Sequence, residues 1–123
     1  MSHTPLSGLR MLLVEGDAVL GPALAGILRG QGAVVDGPWS SLRMATGAMH
    51  HHPPEAALLD INLSDGTTYA LAASLQSMGI AYAFLSASDP ADVPPGLAPV
   101  AFVKKPASTQ VVLAMAHRLA SER

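Results

Sequence analysis

Apolar residues along this chain fall into short continuous runs, separated by stretches in which they recur every three or four positions. The runs are Leu9 to Val14, Ala33 to Asp36, Ala56 to Leu59, Ile80 to Leu85 and Pro99 to Val103. An unbroken apolar run is what a strand covered on both faces requires, and parallel sheets bury their strands in that way. The short second run is placed at an edge, and the third, apolar throughout, at the centre.

Between the runs the period is helical. Asp17 is placed to cap a helix carrying Val19, Leu20, Ala23, Leu24, Ile27 and Leu28 on one face. Pro22 falls near the first turn, where a missing N–H costs least, and Gly30 and Gly32 close the helix. Ser40 or Ser41 caps a second helix with Leu42, Ala45 and Met49 inward, and Pro53-Pro54 stops it. Asp65-Gly66 turns into a third helix through Leu71, Leu75 and Met78, ended by Gly79. A last helix from about Ser108 carries Val111, Val112, Met115 and Leu119 on its buried face.

Strand and helix thus alternate, which predicts an α/β fold: a doubly wound, five-stranded parallel sheet with helices on both faces. One helix is missing from the series. Pro90, Pro94, Pro95 and Pro99 occupy the stretch where the fourth belongs, so that helix is expected to be short or missing. A proline loop packed over the same sheet surface would replace it. Residues 1–123 are expected to form a single domain, with 1–8 a loose N-terminal segment.

Composition narrows the function. Hydrophobic residues make up 50% of the chain and charged residues 13%, which points to a packed core rather than a disordered tail. The formal net charge is −2 and only Lys104 and Lys105 are adjacent cations, which argues against a nucleic-acid module. The absence of cysteine excludes disulfides and thiolate metal sites. No stretch approaches the ~20 apolar residues of a membrane span, and no basic and apolar leader opens the chain, so a cytoplasmic location is expected.

The chemistry lies where the runs end. Val14 is followed by Glu15, Leu59 by Asp60, Leu85 by Ser86 and Lys104 by Lys105. In an open parallel sheet the carboxyl ends of the strands share one rim, and ligands bind in the crevice there. Two acids, a hydroxyl and an ammonium are therefore predicted to converge. Each alone reads as an ordinary strand-end polar residue; four together point to a site that handles a phosphoryl group. Asp60 is the candidate nucleophile, able to accept that group as an acyl phosphate if cations offset the charge on its oxygens. Lys105 would supply one fixed positive charge, and Ser86 a hydroxyl for a phosphoryl oxygen. Glu15, with Asp60 and the backbone carbonyl of Asn62, would hold Mg²⁺, a cation that prefers oxygen ligands. His50-His51-His52 point in different directions on a helix and read as solvated side chains. No glycine-rich loop with lysine follows the first strand, so a nucleotide site is weakly supported.

These residues resemble the receiver domain of the bacterial response regulators, from Leu9 to the last helix. The likeness rests on Leu13-Val14-Glu15, Leu58-Leu59-Asp60-Ile61-Asn62-Leu63, Ser86-Ala87 and Lys105-Pro106. It implies a stand-alone receiver of flavodoxin-like strand order 2-1-3-4-5. Asp60 would be the phosphoacceptor, Lys105 the partner of the phosphoryl group, Ser86 the hydroxyl that shifts on activation and Phe102 the switch aromatic. The implied cofactor is Mg²⁺, and the Lys105-Pro106 bond is expected to be cis. The implied partners are a histidine kinase or phosphotransfer protein and a downstream protein in a two-component or phosphorelay pathway. Neither nucleic acid nor membrane is implied, and the state would be a monomer or weak homodimer.

The chain departs from the family at two places. Receivers carry two adjacent acids after the first strand, whereas this chain reads Glu15-Gly16-Asp17. Glycine has no side chain to coordinate a cation, and Asp17 is expected to cap the helix, so Mg²⁺ binding should be weakened. The alternative reading is a degenerate receiver that binds its partner without phosphorylation. The second departure is the proline-rich stretch on the usual output face. A turnover enzyme is not expected, because phosphatases with an aspartate nucleophile on a related fold need an acid two residues later, and that position is Asn62.

Overall fold

β1 (Arg10–Val14) shows why the apolar runs are unbroken: its last four residues are all buried. β2 (Val34–Trp39) pairs with it on one side and β3 (Ala56–Leu59) on the other, both parallel. The computed structural model describes residues 6–97 and 101–122. Next to β3 lies β6 (Ala81–Ser86), and next to that β7 (Ala101–Lys104), again parallel. The order β2-β1-β3-β6-β7 is the expected 2-1-3-4-5 when only sheet strands are counted. Pro99 and Val100, included in the fifth predicted strand, lie outside the described residues.

Alternate residues of the strands serve two cores. Met11, Leu13, Leu58, Leu85 and Val103 pack with Leu24 and Leu28 of α1 (Leu20–Gly30) and Val112 and Leu119 of α4 (Thr109–Ser121). Leu12, Val14, Leu59 and Phe84 pack with Ala45 and Met49 of α2 (Leu42–His51) and Leu71 and Leu75 of α3 (Tyr69–Ser77). This is the doubly wound arrangement, with helices on both faces.

The helix starts follow capping chemistry. Asp17 Oδ1 accepts from the amides of Val19 and Leu20, each at 2.8 Å, and so closes the entry to α1. Ser41, rather than Ser40, caps α2 by accepting from Met44 N at 3.2 Å. Ser108 does the same for α4 through Val111 N. The buried stripe of α1 is Gly21, Leu24, Ala25 and Leu28, whereas Val19 is 81% exposed and Ala23 faces solvent, against expectation. Val19 is the cap residue before the first helical position, and the inward place in the first turn goes to Gly21, which lies so close to Pro38 that a Cβ would come within 3.0 Å of the ring. Val111 and Met78 are also exposed, at the first turn of α4 and just past the end of α3, and Met115 is only half-buried.

Three features differ from the expected outline. A small antiparallel hairpin, β4 (Asn62–Leu63) with β5 (Gly66–Thr67), stands between β3 and α3, so Asp65 belongs to its turn and does not lead into the helix. Its carboxylate accepts from Leu42 N at 2.8 Å and Arg43 N at 3.1 Å, a second cap on α2 supplied from far along the chain. The segment expected to be loose is tied down from Leu6 onward: Leu6 and Leu9 are buried, and Gly8 N donates to Gly32 O at 2.9 Å. Residues 1–5 lie outside the described residues. β2 runs on to Trp39, and Arg29 Nη2 donates to the carbonyls of Val35 and Gly37 on this edge strand.

The fourth helix is replaced by two single 3-10 turns, Pro90–Asp92 and Pro95–Leu97. Val93 and Leu97 nonetheless join the core beside Phe84, and Gln76 Nε2 donates to Gly96 O at 3.1 Å. The proline loop covers the sheet as the missing helix would. The Lys105–Pro106 peptide is cis as expected, and so is Gly37–Pro38. Among the described residues no helix is long and apolar enough to cross a membrane.

Two measurements check this packing. Leu97→Ala is expected to cost about 2–4 kcal/mol in urea unfolding; a change within ~0.5 kcal/mol would mark the segment as a solvated loop. The two backbone N–H groups on Asp65 hold its carboxyl below the ordinary value near 3.8. Its contribution is therefore complete above that value and is lost as pH falls through the lower, folded value. Asp65→Asn should lower stability at neutral pH and flatten the acid limb of the stability curve relative to the parent.

Candidate functional site

The sheet ladder carries past the strand ends and fixes the rim. Glu15 N donates to Trp39 O at 2.9 Å, Asp60 N to Val14 O at 2.8 Å, and Lys105 N to Ser86 O at 2.9 Å. The residues just after β1, β3 and β7 are thus held by the backbone before any side chain interacts. Side-chain contacts then close the group. Lys105 Nζ lies 2.8 Å from both carboxylate oxygens of Glu15 and 3.4 Å from Asp60 Oδ2.

Glu15 is 2% exposed, and burial pushes its carboxyl above the usual range, an effect offset in part by the lysine hydrogen bond. Lys105 and the amide of Asp17 both donate to Oε1, the amide at 3.1 Å. Oε2 has the ammonium beside it but out of line, and receives no hydrogen bond among the described residues. Asp60, whose side chain is 13% exposed, has only the longer contact with the ammonium among the described ion pairs.

Gly16 faces the same space. A Cβ there would lie 3.8 Å from Asp60 Oδ2 and 3.9 Å from the Asn62 carbonyl oxygen, both ordinary distances. The nearest neighbour of that Cβ would be Leu63 Cδ2 at 3.4 Å, so a Cβ is accommodated beside these oxygens. The carboxylates of Glu15 and Asp60 and the Asn62 carbonyl are hard oxygen donors suited to a cation such as Mg²⁺. Glu15 Oε2, ion-paired with Lys105 but without a hydrogen bond among the described residues, leaves acceptor capacity for such an occupant. Position 16 adds no donor to this set of two carboxylates and a carbonyl.

Ser86 ends β6 on this rim and is 1% exposed, its Oγ accepting from Ser88 N at 3.2 Å. Phe102 is half-buried beside Phe84, ring centroids 6.2 Å apart and planes at 58°. It pairs in register with Phe84, two residues before Ser86. The structure therefore brings Glu15, Asp60 and Lys105 into contact, with Ser86 at the same sheet edge and Phe102 one strand pair below it.

Three residues were missed in the sequence. Thr68 is wholly buried; its Oγ1 donates to Asp60 O at 2.6 Å and its amide to Ile61 O at 2.9 Å. It precedes a helix and reads as a cap, but its hydroxyl turns back to hold the Asp60 backbone. Ser88 Oγ accepts from Asn62 Nδ2 at 2.7 Å, joining the loop after β6 to the one after β3. Lys104 Nζ donates to the carbonyls of Ala87 at 2.7 Å and Ser88 at 3.0 Å. The adjacent pair Lys104-Lys105 was the sole signal for the last.

No protein-family model matches the chain, and no curated protein matches its sequence. Solved structures do match. The non-phosphorylated HemR receiver domain from Leptospira biflexa superposes with a TM-score of 0.80 at 24% identity, over 92% of this chain and 94% of that one. The fold is that of a response-regulator receiver domain. The beryllofluoride-activated NtrC4 receiver domain, a dimer in solution, gives a TM-score of 0.77 at 20% identity, over 93% and 98% of the two chains. The response regulator PhyR from Brucella abortus gives 0.79 at 21%, over 94% of this chain but 49% of its own length. In receiver-fold terms the rim described above is the carboxyl edge of the sheet.

Thr68→Val tests how firmly the Asp60 backbone is held. Loss of the hydroxyl leaves the Asp60 carbonyl without this donor, and a destabilisation of about 1–3 kcal/mol is expected in chemical unfolding.

Proposed function

We propose that this chain is a receiver that accepts a phosphoryl group on Asp60 from a histidine kinase or phosphotransfer protein and thereby changes its affinity for a downstream protein. The observation that carries the reading is the contact of one ammonium, Lys105 Nζ, with two strand-end carboxylates, one buried and the other partly exposed. An Asp60 carboxylate oxygen attacks phosphorus, and the P–N bond of the donor phosphoimidazole breaks. The imidazole, protonated on its second nitrogen, leaves as a neutral ring with the bonding electron pair. Lys105 offsets charge on the phosphoryl oxygens, and Ser86 can donate its hydroxyl to one of them. Thr68 keeps the Asp60 backbone fixed during attack.

A Mg²⁺ ion held by Glu15, Asp60 and the Asn62 carbonyl would add positive charge at the transferring oxygens. On this reading the protein works in the cytoplasm as a monomer or weak homodimer, takes up one group per cycle and is not a turnover enzyme. A second reading has a specific observation behind it. The missing carboxylate at Gly16 favours a receiver that binds its partner with little or no phosphorylation.

Incubation with a small phosphodonor and Mg²⁺, followed by intact-mass and peptide analysis, separates the two. The first reading expects one phosphoryl adduct, located at Asp60 and lost in Asp60→Ala. Absence of the adduct in the parent together with its appearance in Gly16→Asp would establish the second. Gly16→Asp is expected to tighten Mg²⁺ binding in a direct titration, since its Cβ would lie beside Asp60 Oδ2 and the Asn62 carbonyl.

A further inference from the structure

The loop after β6 carries Ser86 and has to be held in place by something. In a doubly wound sheet the helix that follows a strand anchors such a loop through its first turn. Among the described residues no α-helix follows, only two 3-10 turns, Pro90–Asp92 and Pro95–Leu97, the first capped by Asp89, whose Oδ1 accepts from Ala91 N. The Ser88 side chain is tied to Asn62, and the carbonyls of residues 87 and 88 are held from the neighbouring strand. Lys104 is the register partner of Ser86 across β6 and β7. Its ammonium donates to two successive carbonyls, Ala87 O at 2.7 Å and Ser88 O at 3.0 Å.

These bonds reach Ser86 through the backbone. Ser88 N donates to Ser86 Oγ at 3.2 Å, so the position of the buried hydroxyl depends on the peptide whose far end Lys104 holds. Lys104 forms no ion pair among the described residues; its charge is spent on the carbonyls. A charged donor on two carbonyls makes stronger bonds than a neutral one.

We propose that Lys104 is a positioning residue for Ser86. It fixes the resting place of the hydroxyl by clamping the Ala87 and Ser88 carbonyls, and the hydroxyl turns toward a phosphoryl group on Asp60 only when that clamp yields. The second half rests on the phosphoryl-acceptor reading; the first does not.

The experiment compares the parent with Lys104→Met, which keeps the stem without the charge, and Lys104→Arg, which keeps a donor. Amide exchange is followed residue by residue by NMR, without any phosphodonor. Lys104→Met should speed exchange of the Ser88 amide by about fivefold, the scale of one net hydrogen bond. The buried Val103 amide should not change, and Lys104→Arg should restore protection in part. Unchanged exchange at Ser88, or equal acceleration throughout β6 and β7, would overturn the proposal. A titration with beryllofluoride and Mg²⁺ then reads the second half: Lys104→Met should saturate at a lower concentration than the parent, and an equal or higher midpoint counts against the clamp. If the parent takes up no beryllofluoride, the acceptor reading falls, and the Ser88 exchange rate still decides the role of Lys104.

Discussion

A carboxylate with almost no access to water is costly unless a cation answers it, and Glu15 is such a group. Lys105 answers it, and in doing so fixes the rest of the rim. The ammonium must reach across from the far edge strand, so β7 has to end level with β1, and the sheet register achieves this through the ladder bonds of Glu15, Asp60 and Lys105. Asp60, between them, keeps the weaker share of the charge. Structural need and chemical availability are thus divided between two acids that sit on adjacent strands.

The backbone around Asp60 is held from two sides. Thr68 bonds the carbonyl of Asp60 itself, and Asn62 ties the following turn to Ser88. The proline-rich segment adds a lid of apolar contacts through Val93 and Leu97 without forming a helix. A segment with only single 3-10 turns can still exclude water if its side chains reach the core, and prolines help by having fewer conformations to lose.

Much of this was legible in the sequence. Continuous apolar runs gave the parallel strands, and the polar residue after each gave the rim, because both follow from local pattern and from the geometry of open sheets. Ser41, Asp17 and Ser108 announced their helices for the same local reason. What escaped was set by distant partners. Thr68 looks like a cap and turns away from its helix; Lys104 looks solvated and bonds two carbonyls; Val19 fits the apolar period of α1 but lies outside the stripe that Gly21 sets against Pro38. The β4–β5 hairpin, two residues to a strand, is too short to leave a periodic signal. Leu6 falls in the segment read as a loose end but is buried in the core, next to a Gly8–Gly32 bond that no local pattern reveals.

The carboxylate of Asp65 has a consequence for communication within the molecule. It stands in the loop that leaves the acidic rim, and it grips the first amides of α2, a helix on the outer part of the sheet. Tilting that hairpin by a fraction of an ångström would pull on the opening turn of α2. The loop leaving the rim and the start of this helix are therefore tied by two hydrogen bonds that do not involve the strand carrying Phe102.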